Sequence, residues 1–506
     1  MLFDIKGIIQ KDTKLRYILF AGLILQLAFS LSTTGFYHAD QHFQIIEFSS
    51  YQLGEPNATP YIWEFDQAIR PTLQVYLFSA YRSLLHYTGF NDPYNQLTLM
   101  RIIMGLLNFI LFNLICIYYT KTENKKVLYL VLIMLNFSWC LPYIRTLFSS
   151  EMLSSFFFFG TVFLYEIRKD REPNFAFLAL TGFLLCLTFY IRFQSAFLIL
   201  GFIIWIIFIL KKRKHLFPIA AGFAAGVLLN TWLDYGFYHQ LVITPYEYYY
   251  SNIVLKKAAT FGTSGPYLYI GVLLATTAIF PVSLFLYYYA VKACRKKYNH
   301  LLFITALLFI LAHSIVRHKE ERFMFPILCI LPVITGWGIP AFIQFYNNCK
   351  RGMRIFIKSI IGFSIVLNCF LLYVLMFHNP ATQLVDFTSL LNNRINKSGD
   401  SSKLYCLGRT PFITSFRLPI VFYSNAFKKK EIVMINDIDS IRNLKEKNIY
   451  LATTFGIIKN HRSMMDSLGF KPVAYSSGLL WKINEFLYKK KRKGVLEIWV
   501  LYKKMN

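Results

Sequence analysis

The sequence predicts a polytopic α-helical membrane protein with about 11 transmembrane helices and a small C-terminal α/β soluble domain. Three observations predict it. The first is composition: of 506 residues, 56% are hydrophobic and 18% aromatic, and only 16% are charged. Soluble domains carry about 25% charged residues. The second is the recurrence of apolar stretches of about 20 residues, the length needed to cross ~30 Å of hydrocarbon as helix. The third is the placement of the basic residues, which collect in alternate loops as the positive-inside rule requires.

Taken in order, the apolar stretches are 17–36, 102–119, 127–144, 152–167, 174–191, 195–210, 216–233, 267–290, 301–316, 323–345 and 355–377. The first is too long for the core of a signal peptide and is read as a retained span. The loops between them sort by charge. Lys6, Lys11, Lys14 and Arg16 precede span one, and Lys121, Lys125 and Lys126 separate spans two and three. Arg168, Lys169 and Arg171, then Lys211 to Lys214, then Lys292, Arg295, Lys296 and Lys297, then Lys350, Arg351 and Arg354 continue the alternation. It places the N-terminus in the cytoplasm and everything after residue 377 outside. The net charge of +28 is therefore a topology signal, and nucleic acid is not an expected partner. The lipid bilayer is.

Residues 1–377 are expected to form the transmembrane module, with a first outer loop over 37–100, and residues 378–506 the outer α/β domain. Segment 72–86 of the loop has apolar residues at helical spacing and reads as an amphipathic helix in the membrane interface. A second outer piece, 234–266, is crowded with tyrosines that suit a membrane–water boundary. In the C-terminal domain, β-rich runs at Lys403–Leu407, Glu431–Asn436, Asn448–Thr453 and Val495–Tyr502 alternate with helical patterns at Ile438–Lys447 and Ile458–Leu468. The basic run Lys489–Lys493 reads as a solvated hairpin or a contact with anionic lipid heads. Asn57-Ala58-Thr59 and Asn396-Lys397-Ser398 fit the N-glycosylation pattern. Five of the eight cysteines lie in spans and only Cys406 lies in the outer domain, so neither a disulfide framework nor a Cys-based metal site is expected. No cofactor is called for.

The chemistry gathers on the outer face. His318-Lys319-Glu320-Glu321-Arg322 joins two spans almost without linker. A charge run is most often a solvated loop. At the mouth of a membrane, however, five consecutive ionisable groups are a functional-site hypothesis. His38-Ala39-Asp40-Gln41-His42-Phe43-Gln44 follows span one, Arg145 to Glu151 joins spans three and four, and Tyr190-Ile191-Arg192 follows span five. A carboxylate such as Asp40, with Glu47 close behind, can act as a general base toward a hydroxyl. Clustered Arg145, Arg192, Lys319 and Arg322 can hold a phosphate and stabilise it as a leaving group. The pattern suits transfer of a sugar from a phosphate-linked lipid, but buried Arg–Glu pairs can also merely hold helices in register. A lipid-linked sugar flippase or transporter is the rival class; it would need ionisable or broken-helix features at mid-membrane, where the spans read as apolar.

His-x-Asp-[Glu/Gln]-x-Phe-Gln after the first span, Arg-Thr-Leu-x-x-Ser opening the fourth, Tyr-x-Arg after the fifth and His-Lys-Glu-Glu-Arg-Phe before a late span resemble one family. It is the polyprenyl-phosphate-mannose-dependent α-mannosyltransferases of GPI-anchor and N-glycan assembly (glycosyltransferase family 22, of GT-C-like fold), with the GPI mannosyltransferase branch nearest. Trp63-Glu64-Phe65-Asp66 with Ile69-Arg70-Pro71, and more loosely Phe261-Gly262 with Pro266-Tyr267-Leu268-Tyr269, also resemble family segments. The resemblance implies inverting transfer of mannose from a polyprenyl-phosphate-linked donor to a glycan or glycolipid acceptor, with Asp40 as catalytic base and no metal. It implies substrate-binding roles for His38, Gln41, Gln44, Arg145, Glu151, Arg192, His318, Lys319, Glu320, Glu321 and Arg322. Gln41 stands where the family usually has a second acid, and Ala39 where it usually has proline. Another GT-C transferase, such as a protein O-mannosyltransferase, would share the layout but should lack the His318–Arg322 motif. The abundance of Phe, Ile, Lys and Asn fits an AT-rich genome of either kind, and the reading leans slightly to a bacterial inner membrane over the endoplasmic reticulum membrane.

Overall fold

The computed structural model describes residues 2–60, 62–277, 280–396, 403–414, 418–427, 431–444, 449–490 and 497–505. Among them, four helices are long and apolar enough to cross a membrane: Thr13–Ser32, Pro93–Thr120, Arg213–Tyr238 and the stretch Arg351–Ile395. A fifth is formed if Glu321–Leu328 and Leu331–Asn348, bent by 67° at their junction, count as one span. The other expected spans are shorter or broken. Phe175–Ile191, Phe193–Ile209 and Leu301–Ile315 are single apolar helices of 17 residues or fewer. The expected span 127–144 is two helices, Lys125–Phe137 and Leu141–Thr146. Ser138 leaves the helical conformation between them, and its hydroxyl donates to the carbonyl of Thr277 at 2.9 Å. Non-helical backbone at membrane depth survives where protein satisfies its polar groups.

The described chain forms two compact units. The first comprises Met1–Ser32, Ile62–Leu77 and Leu99–Met376. Its tightest helix pair is Phe175–Ile191 against Leu216–Tyr238. A Cβ on Gly182 would lie 1.8 Å from the carbonyl oxygen of Ile219, and one on Gly222 would lie 1.8 Å from that of Ala179. The two backbones touch, which only glycine permits at both positions; small residues at helix contacts replace the hydrophobic drive that lipid cannot supply.

The interior of this unit is not uniformly apolar, contrary to the expectation for the spans. Asn113 and Asn136 exchange amide hydrogen bonds at 3.1 and 2.8 Å. Gln26 donates to the carbonyl of Pro142, and Asn108 to that of Arg145. These side chains are paired with one another or with backbone, the condition under which polar groups are tolerated away from water.

The second unit comprises Thr33–Tyr61, Phe78–Thr98 and Phe377–Asn506. Its sheet has the order β2-β1-β3-β5-β4, with β1 Lys403–Leu407, β2 Glu431–Ile435, β3 Tyr450–Thr454, β4 Phe470–Tyr475 and β5 Trp499–Lys504. β1 pairs parallel to β2 and β3, whereas β5 runs antiparallel to β3 and β4. The central strand β3 is buried throughout, and Leu451, Phe455, Trp481 and Val500 form part of the core beside it. β4 was not expected from the sequence. It contains Pro472, where the register with β5 shifts, and it lies at the sheet edge, the place a strand tolerates proline. Ile438–Asn443 is a 3₁₀ helix, shorter than the helix expected, and a further helix runs over Gly478–Lys489. Residues 397–398 of the second glycosylation tripeptide, 445–448, 491–493 of the basic run and 495–496 lie outside the described residues.

Within this unit, Ala39–Gln41, His42–Glu47 and Phe48–Gln52 follow one another as a continuous helix whose middle segment is π-helical.

Candidate functional site

The expected site residues fall into two groups, one in each unit. In the first unit, helix Ser150–Glu166 begins behind Ser149, whose hydroxyl caps the backbone N–H of Met152. Glu151 therefore sits in the first turn, where the exposed N–H groups favour negative charge. Arg192 ends helix Phe175–Ile191 and turns extended. Its Nη1 donates to Glu151 Oε1 at 2.8 Å and to Ser150 Oγ at 3.2 Å.

The charge run completes this arrangement. Arg322 donates from Nη1 to the same Glu151 oxygen at 3.4 Å and from Nε to Glu320 Oε2. Glu320 Oε1 in turn meets His318 Nε2 at 2.9 Å, and His318 Nδ1 meets the carbonyl of Gly262 at 2.8 Å. The rings of Phe323 and Phe261 pack about this chain: Arg192 lies 5.0 Å from the Phe323 centroid, and Phe261 is edge-on to His318 at 6.5 Å. Glu151, Arg192 and Arg322 are all buried. Two donors of Arg192, Nε and Nη2, find no hydrogen-bond partner among the described residues.

Two electrostatic consequences follow. The hydrogen bond to Glu320 raises His318 above the ordinary imidazole value, because it favours the protonated ring. Burial lowers Lys319, whose Nζ donates to the carbonyl of Val316. Glu321 is exposed. Arg145 is brought to a different place. It is fully buried, donates to Asn136 Oδ1 at 3.0 Å and lies 5.5 Å from the Phe109 ring. Its Nε and Nη2 also lack partners among the described residues.

Ser150, Gly262 and Phe323 belong to the quoted motifs, but the sequence did not announce which partners they meet: Ser150 and the Phe323 ring meet Arg192, and the Gly262 carbonyl meets His318.

In the second unit, His38 caps the short helix Ala39–Gln41 by accepting from the N–H of Asp40 at 3.2 Å. His38 Nδ1 lies 3.4 Å from Asp40 Oδ1, and the Asp40 side chain is 29% exposed. Gln41 Oε1 accepts from the N–H of Tyr37 at 3.2 Å. Gln44 is buried within the π-helical segment. Chemically, this unit offers an accessible carboxylate, and the first offers a buried cationic cluster with unspent donors.

A family model, the Alg9-like mannosyltransferase family, matches residues 17–434. The chain belongs to that family. The match encloses every expected site residue of both groups, as well as most of the C-terminal sheet's first two strands. Among family relatives, GPI mannosyltransferase 3 of Candida albicans is 27% identical over 340 residues, covering 64% of this chain and 64% of that protein. GPI mannosyltransferase 3 of Debaryomyces hansenii is 22% identical over 360 residues, covering 68% of this chain and 62% of that protein. The chain thus spans less than two thirds of the length of these curated relatives.

The fold is shared more widely than the sequence. The crystal structure of ArnT from Cupriavidus metallidurans bound to undecaprenyl phosphate superposes with a TM-score of 0.56 at 10% identity, covering 97% of this chain and 98% of that one. Its apo form gives 0.51 at 9% identity, covering 96% and 97%. The GT-C-like architecture and the multi-pass membrane character stand. The lean toward a bacterial inner membrane does not gain support, since both family relatives are yeast proteins. An AT-rich genome biases residue usage in either kind of cell, so composition does not decide the compartment.

Proposed function

We propose that this chain is an inverting α-mannosyltransferase that moves mannose from a polyprenyl-phosphate carrier to a glycan or glycolipid hydroxyl. The reaction is assigned to the exoplasmic side, which for a relative of yeast GPI mannosyltransferases is the lumen of the endoplasmic reticulum. The observation that carries the reading is the chain Arg192–Glu151–Arg322–Glu320–His318, buried at its first three members, with two Arg192 donors unspent. A guanidinium already fixed by one carboxylate and still holding free N–H groups is suited to a phosphate, whose oxygens it can bind without further ordering. That ArnT was crystallised with undecaprenyl phosphate is consistent with a lipid-phosphate donor on this fold.

In this mechanism Arg192, Arg322 and Lys319 hold the donor phosphate, while Glu151, Glu320 and His318 hold the arginines. Asp40 takes the proton of the acceptor hydroxyl. The hydroxyl oxygen attacks the anomeric carbon from the face opposite the phosphate, the carbon–oxygen bond to phosphate breaks, and the polyprenyl phosphate leaves with the electron pair. A β-linked donor thereby gives an α-linked product. The transition state has oxocarbenium character, as in glycoside hydrolysis, so one base plus stabilisation of the leaving phosphate suffices. Gln41, where a second acid is usual, and Gln44 and His38 serve the sugar or acceptor as neutral hydrogen-bonding groups. Arg145 is assigned to long-range support of the donor's negative charge.

The test uses membranes containing the chain, labelled polyprenyl-phosphate mannose and candidate glycolipids. Transfer of label into a covalent product is expected, and carriage without a new bond would instead indicate a transporter. Asp40→Asn should abolish transfer, by a factor of at least about a hundred for loss of a general base, with membrane accumulation and thermal stability nearly unchanged. Full activity in that variant ends the assignment.

A further inference from the structure

The helix that carries Asp40 is not a plain α-helix. It opens as α over Ala39–Gln41, widens to π over His42–Glu47 and closes as α over Phe48–Gln52. A π turn inserts one extra residue into the helical path. Each residue turns the chain by about 100°, so whether this turn is present decides which way Asp40 points relative to the rest of the helix. π turns are costly and need something to hold them. Here the holder is visible. His42 Nε2 bonds Glu47 Oε1 at 2.7 Å, between side chains five residues apart, which is the i to i+5 spacing that a π turn stacks.

Both groups are buried, His42 completely. The His42 ring is stacked between Phe36, at 4.9 Å and 25°, and Tyr423, at 5.5 Å and 5°. Both Glu47 oxygens accept from the backbone N–H of Phe422, at 3.2 and 3.3 Å. A second tie lies one helical stretch further on. Arg82 bonds Ser49, Ser50 and Glu55, and Asn425 bonds the other oxygen of Glu55 at 3.3 Å. The short helix Val421–Ser424 thus grips the first-loop helix at the π turn itself.

We propose that His42, Glu47 and Tyr423 are positioning residues that lock the π turn and so set the reactive orientation of Asp40. The inference rests on Asp40 being the base. It gives the C-terminal region a catalytic duty: residues almost four hundred positions later in the chain hold the base in place. A misplacement of about 1 Å costs on the order of a hundredfold in rate, so relaxation of the turn to α should be felt in kcat.

The experiment measures kcat and donor KM for the purified full chain in lipid discs, normalised to folded protein, with labelled polyprenyl-phosphate mannose. Glu47→Ala and Tyr423→Ala should each lower kcat at least about tenfold with donor KM within about twofold. Glu47→Gln, which can still accept from Phe422 and His42, and Tyr423→Phe, which keeps the stacked ring, should recover most of the rate. A merely structural role would reduce the amount of folded protein and leave kcat per folded molecule unchanged; that result overturns the proposal, as does a Glu47→Gln variant as slow as Glu47→Ala. Should Glu47→Ala not fold, the Tyr423 pair decides alone. Activity retained in Asp40→Asn is a separate outcome that removes the base assignment itself.

Discussion

Glu151 and Asp40 are carboxylates that the two units treat in opposite ways. Glu151 is 2% exposed, takes two arginines on one oxygen and stands at a helix N-terminus. Asp40 keeps a side chain 29% exposed, with the His38 imidazole nitrogen 3.4 Å from one of its oxygens. A carboxylate saturated by guanidinium groups is a poor proton acceptor, because protonation would forfeit both ion pairs in a place where unpaired charge is expensive. One that is partly open to water can accept a proton and exchange it with solvent. On the proposed mechanism the difference divides labour among the acids of this chain: Glu151 and Glu320 hold the cationic cluster, and Asp40 is left for proton transfer.

That division can be broken at its buried end first. Glu151→Ala leaves Arg192 and Arg322 buried without their shared anion, and removing one partner of a buried pair costs about 3–5 kcal/mol. The expected outcome is a large fall in thermal stability and in the amount of protein recovered from membranes, together with loss of transfer. If Glu151→Ala were inactive yet as stable as the parent, Glu151 would be acting on substrate like Asp40, and the contrast would vanish. A smaller effect is expected for Arg322→Lys. Arg322 uses Nη1 on Glu151 and Nε on Glu320, a fork that a single ammonium cannot reproduce. Donor KM should rise about tenfold, about 1.4 kcal/mol, with stability changed less than in Glu151→Ala. Equal KM values in Arg322→Lys and the parent would show that the fork is not used.

Much of this was legible in the sequence. A run of five ionisable groups between apolar spans announces His318–Arg322, and the span ends announce Glu151 and Arg192. Their mutual contacts were not legible, since 171 residues separate Glu151 from Arg322. Arg145 looked equivalent to Arg192 from its place at a span end, but it turns inward to Asn136 because Leu141–Thr146 is a separate short helix after the break at Ser138. The clamp on the Asp40 helix was hidden for a different reason. Its decisive donor is the backbone N–H of Phe422, which carries no side-chain signal, and a π turn leaves no mark in residue periodicity. Strand β4 was obscured by Pro472, which demotes a strand pattern unless the strand is known to lie at an edge.

The smallest expected effect tests the link between the cluster and pH. His318 lies at the far end of the chain of charges, half-buried, and its protonated ring is favoured by Glu320. Because its value in the folded protein is raised above 6.5, the stabilisation is fully present below pH 6.5 and is lost as pH rises through the raised value. Loss of the imidazolium removes one of the cations that Glu320 holds, which draws the Arg322 guanidinium toward Glu320 and weakens what it can offer a phosphate. Donor KM should therefore climb on the alkaline side, by about twofold to threefold between about pH 6 and pH 8.5. His318→Gln keeps a hydrogen bond to Glu320 without the charge. It should show the alkaline KM at every pH. A His318→Gln variant that retained the parent's alkaline climb would place the titrating group elsewhere and leave the cluster's charge balance independent of His318.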